Sequence, residues 1–430
     1  MLLRGARQVG KTTLIRQFGK QFANYIELNL EKPADKRFFE GKSNVKQIIE
    51  SIFLQRNIDS DYSETLLFID EIQEYPQAVG LLRYFYEDLP QLPVISAGSL
   101  LEFSLGDVQN FPVGRIRYAY LFPLNFDEYL EAIEYNKART HLHTIPLKPI
   151  AHEILLDLFH TYVIIGGMPE IVKTFLQNDK FITALPRVYE SIWNTYADDI
   201  EKYGKNNTAR HVLRHIFATA PFYIDQRIKF QNFGHSSYRS REVKEAFRSL
   251  DMAKVIQLIY PTGNVEPPVI PDIRKFPKLQ FLDTGLVNHL LKIQSQLIGL
   301  EDLNTAYKGK IIPHILTQEL LSLNDFSYHK PNFWIRDKKQ SSAEVDLVYM
   351  YKDLIIPIEI KSGKTGILKS LQLFVDKCPH PYAIRIYAGQ FKIEKQKTPS
   401  GKPYLLMNMP YYLGTKIPEY ISYFIENYQL

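Results

Sequence analysis

At 430 residues the chain is too long for one ordinary hydrophobic core, so two to four domains are expected. Its 45% hydrophobic and 23% charged residues exclude a disordered chain, the single cysteine (Cys378) excludes a disulfide framework, and no apolar run is long enough to span a bilayer. The net charge of +5 is uneven: residues 206–430 hold 30 Lys+Arg against 20 Asp+Glu (+10), leaving 22 against 27 (−5) for residues 1–205. The basic half fits a polyanionic partner or a solvated, lysine-rich surface. With one cysteine and no signal peptide before the first motif, a cytoplasmic location without membrane contact is expected.

The chain begins with a short apolar strand, "MLLR", and then "GARQVGKTT", which has the spacing G-x-x-x-x-G-K-[ST]. The residues Gly5, Ala6, Arg7, Gln8, Val9, Gly10, Lys11, Thr12 and Thr13 are therefore candidates for a phosphate cradle. Glycines let backbone N–H groups wrap closely around phosphates at a helix N-terminus. Lys11 would reach the β- and γ-phosphates, and Thr12 would offer its hydroxyl to Mg²⁺. The competing reading is a glycine-rich turn with no ligand. The run "TLLFIDEIQ", Thr65–Gln73, reads as a buried parallel strand ending in two acids. Asp70 would hold Mg²⁺ and Glu71 would polarise the attacking water. Ser99, after the strand "LPVIS", is a candidate γ-phosphate sensor or a plain turn residue. Of Arg115 and Arg117, Arg115 is the favoured arginine for the developing γ-phosphate charge, in cis or from a neighbouring subunit; a surface ion pair is the alternative.

The series "GARQVGKTTL", "LLFIDEIQ", "ISAGSLLEF", "VGRIRYAYLFPLNFDEY" and "GGMPE" (Gly166–Glu170) resembles a family of bacterial and archaeal AAA-type ATPases. Members of that family join a P-loop domain to a C-terminal domain of unknown function with a restriction-endonuclease-like end. The resemblance implies ATP binding and hydrolysis with ATP and Mg as cofactors. In the family a further segment precedes the first strand and helps enclose the base, so a truncated start or a differently built base pocket is expected. Gly166 and Gly167 are expected to allow a tight turn.

The segmentation expected in this α/β chain is a P-loop core over 1–125, a helical lid over 126–205, a winged-helix-like segment over 206–294 and an endonuclease-like domain over 295–430. In "SSYRSREVKEAFRSLDM" the residues Val243, Ala246, Phe247 and Leu250 share one helical face, while Arg239, Arg241, Lys244 and Arg248 lie mostly off it. That arrangement resembles a winged helix, which serves either duplex DNA or protein partners.

The stretch "AEVDLVYMYKDLIIPIEIK" predicts a hairpin turning at Lys352-Asp353, with opposite residues summing to 705. Asp346 would then face Glu359, and Lys361 would face Glu344, all on one face. Like charges placed opposite each other call for a cation between them. Asp346, Glu359 and Lys361 resemble the PD-(D/E)xK nuclease core, in which the two acids hold Mg²⁺. That resemblance makes Glu319 a third acid and Gln372 a supporting polar residue. An acidic surface hairpin, or a nuclease fold that has lost cleavage, is the alternative.

The leading function is an ATP-hydrolysing switch or motor whose C-terminal half engages double-stranded DNA, with a homo-oligomer as a further expectation. The alternatives are a nucleotide-gated protein–protein switch and a Mg-dependent nuclease regulated by ATP.

Overall fold

Five short strands rich in aliphatic and aromatic residues build the first sheet: β1 (Leu2–Arg4), β2 (Asn24–Asn29), β3 (Thr65–Asp70), β4 (Val94–Ala97) and β5 (Tyr118–Tyr120). Every pairing is parallel, in the order β2-β3-β4-β1-β5. All six residues of β3 are buried, as a parallel strand covered on both faces requires. Ile69, Leu67 and Leu28 pack with Ile48, Ile52 and Phe85 on one side, and Leu66, Phe68 and Leu3 pack with Ile15 on the other. The computed structural model describes residues 1–41, 44–59, 61–98, 114–294, 309–338, 341–361 and 368–430.

Two compact units divide the chain: Met1–Phe122 with Met252–Lys254 and Asn324–Tyr328, and the remainder. Three of the four segments expected from sequence thus fall largely in the second unit. Residues 126–202 are mostly helical, as expected for that stretch, with helices Phe126–Ala132, His152–Ile165 and Pro186–Lys202 among them. The helix Ser240–Met252 buries Val243, Ala246, Phe247 and Leu250 and leaves Arg241, Lys244 and Arg248 exposed, with Arg239 exposed just before it. It leads into an antiparallel pair, β6 (Ile256–Ile259) and β8 (Lys278–Phe281), with β7 (Pro261–Thr262) between them in sequence.

After the buried helix Ile311–Ser322 come β9 (Asn332–Lys338), β10 (Ser341–Tyr351) and β11 (Leu354–Ile360). The helix Lys369–Val375, β12 (Tyr382–Tyr387), β13 (Lys392–Lys397) and β14 (Pro403–Pro410) follow. These strands form a seven-stranded mixed sheet in the order β13-β14-β12-β11-β10-β9-β7. The turn falls at Lys352-Asp353, and the pairs from Tyr351↔Leu354 to Leu347↔Ile358 all sum to 705. Val345, Leu347, Ile358 and Ile360 are buried, as the apolar face of the hairpin should be.

Asp283 fixes a turn within the second unit. It caps the helix Thr284–Leu290 through Leu286 N–H and accepts Gly167 N–H at 2.7 Å. Gly166 has φ +75°, and a Cβ there would lie 2.4 Å from Asp283 Oδ1. The "GGMPE" glycines therefore serve the tight turn expected of them, and it closes onto Asp283. Among the described residues no single helix is long and apolar enough to cross a membrane.

Candidate functional site

The first site grows from the β1–helix junction. The loop leaves β1 at Gly5 (φ +153°), where a Cβ would meet Leu121 O at 2.3 Å, and enters the helix Lys11–Gly19 at Gly10 (φ +98°). Only glycine accepts both positions without strain. Ala6 and Val9 anchor the loop in the core, being 1% and 2% exposed. Lys11 is buried, and its Nζ donates to Gly5 O at 2.9 Å and Ala6 O at 2.7 Å. Burial pulls the ammonium down to about 8, while Glu71 and Asp70 work in the opposite direction.

Asp70 ends β3 level with this helix start, and Thr12 Oγ1 donates to Asp70 Oδ2 at 2.9 Å. Asp70 also accepts Glu71 N–H at 3.0 Å, and burial raises its carboxyl above the ordinary range. Glu71 adopts a left-handed backbone (φ +49°) and takes a hydrogen bond from Gln73 Nε2, which fixes its carboxylate. The structure thus brings Lys11, Thr12, Asp70 and Glu71 together. Ser99 lies outside the described residues.

Arg115 does not join them. Leu2 pairs with Tyr118 and Arg4 with Tyr120 in parallel, so residues before β5 lie at the strand-start edge of the sheet. The loop begins at the strand-end edge. Leu2 to Gly5 alone spans roughly 10 Å of strand rise, and Arg115 lies still farther back, paired with Glu87 at 3.1 Å. That direction sets Arg115 away from the loop of its own chain. Arg117 shares the edge, its carbonyl accepting Leu2 N–H.

The second candidate site is the hairpin, where Asp346 lies against Glu359 but the expected pairing of Lys361 with Glu344 differs from the structure. Lys361 does not pair with Glu344; its Nζ bonds Glu359 Oε1 at 2.6 Å. Glu344 instead meets Lys278 at 3.1 Å and Arg227 at 3.9 Å. Asp346 turns one oxygen to Ile360 N–H at 2.8 Å, and the other lies 3.7 Å from Lys278 Nζ. Burial, then repulsion from Asp346, pushes the Glu359 carboxyl up to about 7, against the pull of Lys361. Lys278, contributed by β8, carries no motif, and nothing in the sequence around it marks it as part of this group.

Glu319 is not a third acid of this group. It is buried against the start of the helix Phe126–Ala132, accepting Phe126 N–H at 3.1 Å and the Tyr162 hydroxyl at 2.7 Å. Gln372 hydrogen-bonds Tyr404. Among the described residues no group of three or more His, Cys, Asp or Glu side chains is arranged to hold a metal ion.

Residues 1–130 match the family model of an AAA domain. Over that stretch the chain is similar to an AAA domain, and the match covers less than a third of the chain. Beyond the AAA domain, residues 156–297 match a domain of unknown function (DUF8612), and residues 308–407 match another (DUF4143). Comparison with curated proteins finds no match. Among solved structures, the S. cerevisiae Hsp104-ADP complex is 14% identical at a TM-score of 0.27, covering 75% of this chain and 40% of that one. Cdc6p from Pyrobaculum aerophilum is 12% identical at a TM-score of 0.24, covering 69% and 79%. The chain spans less than half the length of the Hsp104 chain, and likeness this remote transfers no property.

Proposed function

We propose that the protein is an ATP-hydrolysing switch or motor whose C-terminal half engages double-stranded DNA. The observation that carries the first part is the convergence of Lys11, Thr12, Asp70 and Glu71 at the strand-end edge of the AAA domain. The residues fit Mg·ATP. Two glycines with positive φ let the loop fold tightly, and the Thr12 hydroxyl and Asp70 carboxylate, 2.9 Å apart, are the hard oxygen donors that Mg²⁺ prefers. Bound there, Mg²⁺ would neutralise phosphate charge.

The four side chains divide the work. Lys11 transfers its hydrogen bonds from Gly5 O and Ala6 O to phosphate oxygens, and a phosphate beside it offsets the burial that lowers its proton affinity. Thr12 and Asp70 would hold the metal. Glu71, held by Gln73, orients the attacking water and receives its proton. With Arg115 at the opposite sheet edge and paired with Glu87, an arginine role for it would require a second copy of the chain, and a homo-oligomer is part of the proposal.

DNA engagement is supported by the exposed Arg239, Arg241, Lys244 and Arg248, on or just before a helix whose other face is core, followed by the β6–β8 pair. An endonuclease-like fold is supported by the order helix, β9, β10, β11, helix, β12, with β12 parallel to β11. The deciding experiment is ATP turnover with and without duplex DNA. The proposal expects hydrolysis that duplex accelerates. An unchanged rate would favour a protein–protein switch, and no ATP binding at all would remove the reading.

A further inference from the structure

Four carboxylates meet in the second unit: Asp225, Glu344, Asp346 and Glu359. The nuclease resemblance assigns such a cluster to Mg²⁺. The residues present do not fit that ion. Lys278 is buried, and its Nζ lies 3.3 Å from Asp225, 3.1 Å from Glu344 and 3.7 Å from Asp346. A divalent ion seeks about six oxygen ligands. Here Ile360 N–H occupies one Asp346 oxygen and Lys361 occupies one Glu359 oxygen. Glu359 Oε2 is buried without a partner, a single oxygen. The cavity shared by Asp225, Lys278 and Asp346 encloses about 10 Å³, room for no more than one water.

Charge leads to the same conclusion. Lys278, Lys361 and Arg227 set three positive charges against the four acids, leaving one formal negative charge over the cluster. Burial alone would lower the Lys278 ammonium, but Asp225, Asp346 and Glu344 outweigh it and hold it above its ordinary range. The like-charge problem posed by the hairpin is thus solved by an ammonium from a strand 68 residues upstream of Asp346.

We propose that Lys278 is an internal cation standing where a divalent ion would sit, so that this acid cluster is a metal-free clasp and not a metal-dependent cleavage site. The clasp ties β8 and Asp225 to β10, joining the β6–β8 pair to the seven-stranded sheet. Removing the ammonium opens the position to a divalent ion.

Mn²⁺ titration of the full chain without nucleotide, read by electron paramagnetic resonance as ions bound per chain, tests this. Any ion at the phosphate loop contributes equally to all variants. Parent and Asp346→Asn should bind the same number. Lys278→Met should bind one more, and Asp346→Asn placed on top should remove it. A drop in Mn²⁺ bound on Asp346→Asn in the parent would overturn the proposal, as would a folded Lys278→Met that gains no ion. Should Lys278→Met fail to fold, the comparison of parent with Asp346→Asn still decides.

Discussion

Replacing Glu319 by Gln should stabilise the second unit at alkaline pH. Glu319 is fully buried, and burial pushes its carboxyl from 4.5 up to about 8; the Tyr162 and Phe126 donors oppose the shift, and Glu128 and Asp127 add to it. The folded state therefore holds a proton that the unfolded state releases near pH 4.5. Its stabilising effect is complete below pH 4.5 and is lost as pH rises through about 8. Between those two values the loss reaches ~5 kcal/mol as a ceiling, at 1.36 kcal/mol for each tenfold change in proton affinity. Glu319→Gln keeps an oxygen for Phe126 N–H, and the Tyr162 hydroxyl retains Leu124 O at 2.9 Å. The variant should lie within about 1 kcal/mol of the parent at pH 5 and be roughly 2–4 kcal/mol more stable at pH 8.5. Both tryptophans, Trp193 and Trp334, belong to this unit, so urea unfolding followed by their fluorescence reads it selectively. Equal pH slopes for parent and variant would refute the argument, as would a variant that loses more stability at pH 8.5 than at pH 5.

Changing Arg239, Arg241, Lys244 and Arg248 together to Ala should flatten the salt dependence of duplex binding, by a slope of up to about 3–4 in log–log form if all four meet phosphates, while DNA-free ATP turnover stays unchanged. An unaltered slope in a filter-binding titration would assign that helix to protein contacts. Gly166→Ala should cost about 3 kcal/mol or more, because it combines φ +75° with a Cβ 2.4 Å from a buried carboxylate; thermal unfolding would show it, and an unchanged melting temperature would contradict it.

The candidate phosphate loop is legible in sequence because its spacing is local and each position answers one physical need, with positive φ at Gly5 and Gly10, charge at Lys11 and a hydroxyl at Thr12. Asp70 and Glu71 are legible because an apolar run ending in acids places them at a known sheet edge. The hairpin register follows from a turn and a period of two, and it holds from Tyr351↔Leu354 to Leu347↔Ile358. Nothing in that register foretells Lys278, a lone lysine in the apolar strand "KLQF", because its partners are brought to it only by the tertiary fold. Glu319 escapes the sequence for the same reason. Its place on a helix is readable, but the direction it faces is set by Phe126 and Tyr162, 193 and 157 residues away. Arg115 is different: its place at the edge opposite the loop follows from the parallel pairing of β5 with β1, which the sequence did not announce.

The most direct test is nucleotide binding and turnover measured side by side in the parent and Glu71→Gln. In the proposed mechanism Glu71 acts on the water and not on the cradle of Lys11, Thr12 and Asp70, so the variant should bind Mg·ATP within a few-fold of the parent and hydrolyse it at least about a hundredfold more slowly. Equal turnover in the two proteins would contradict the account of this site.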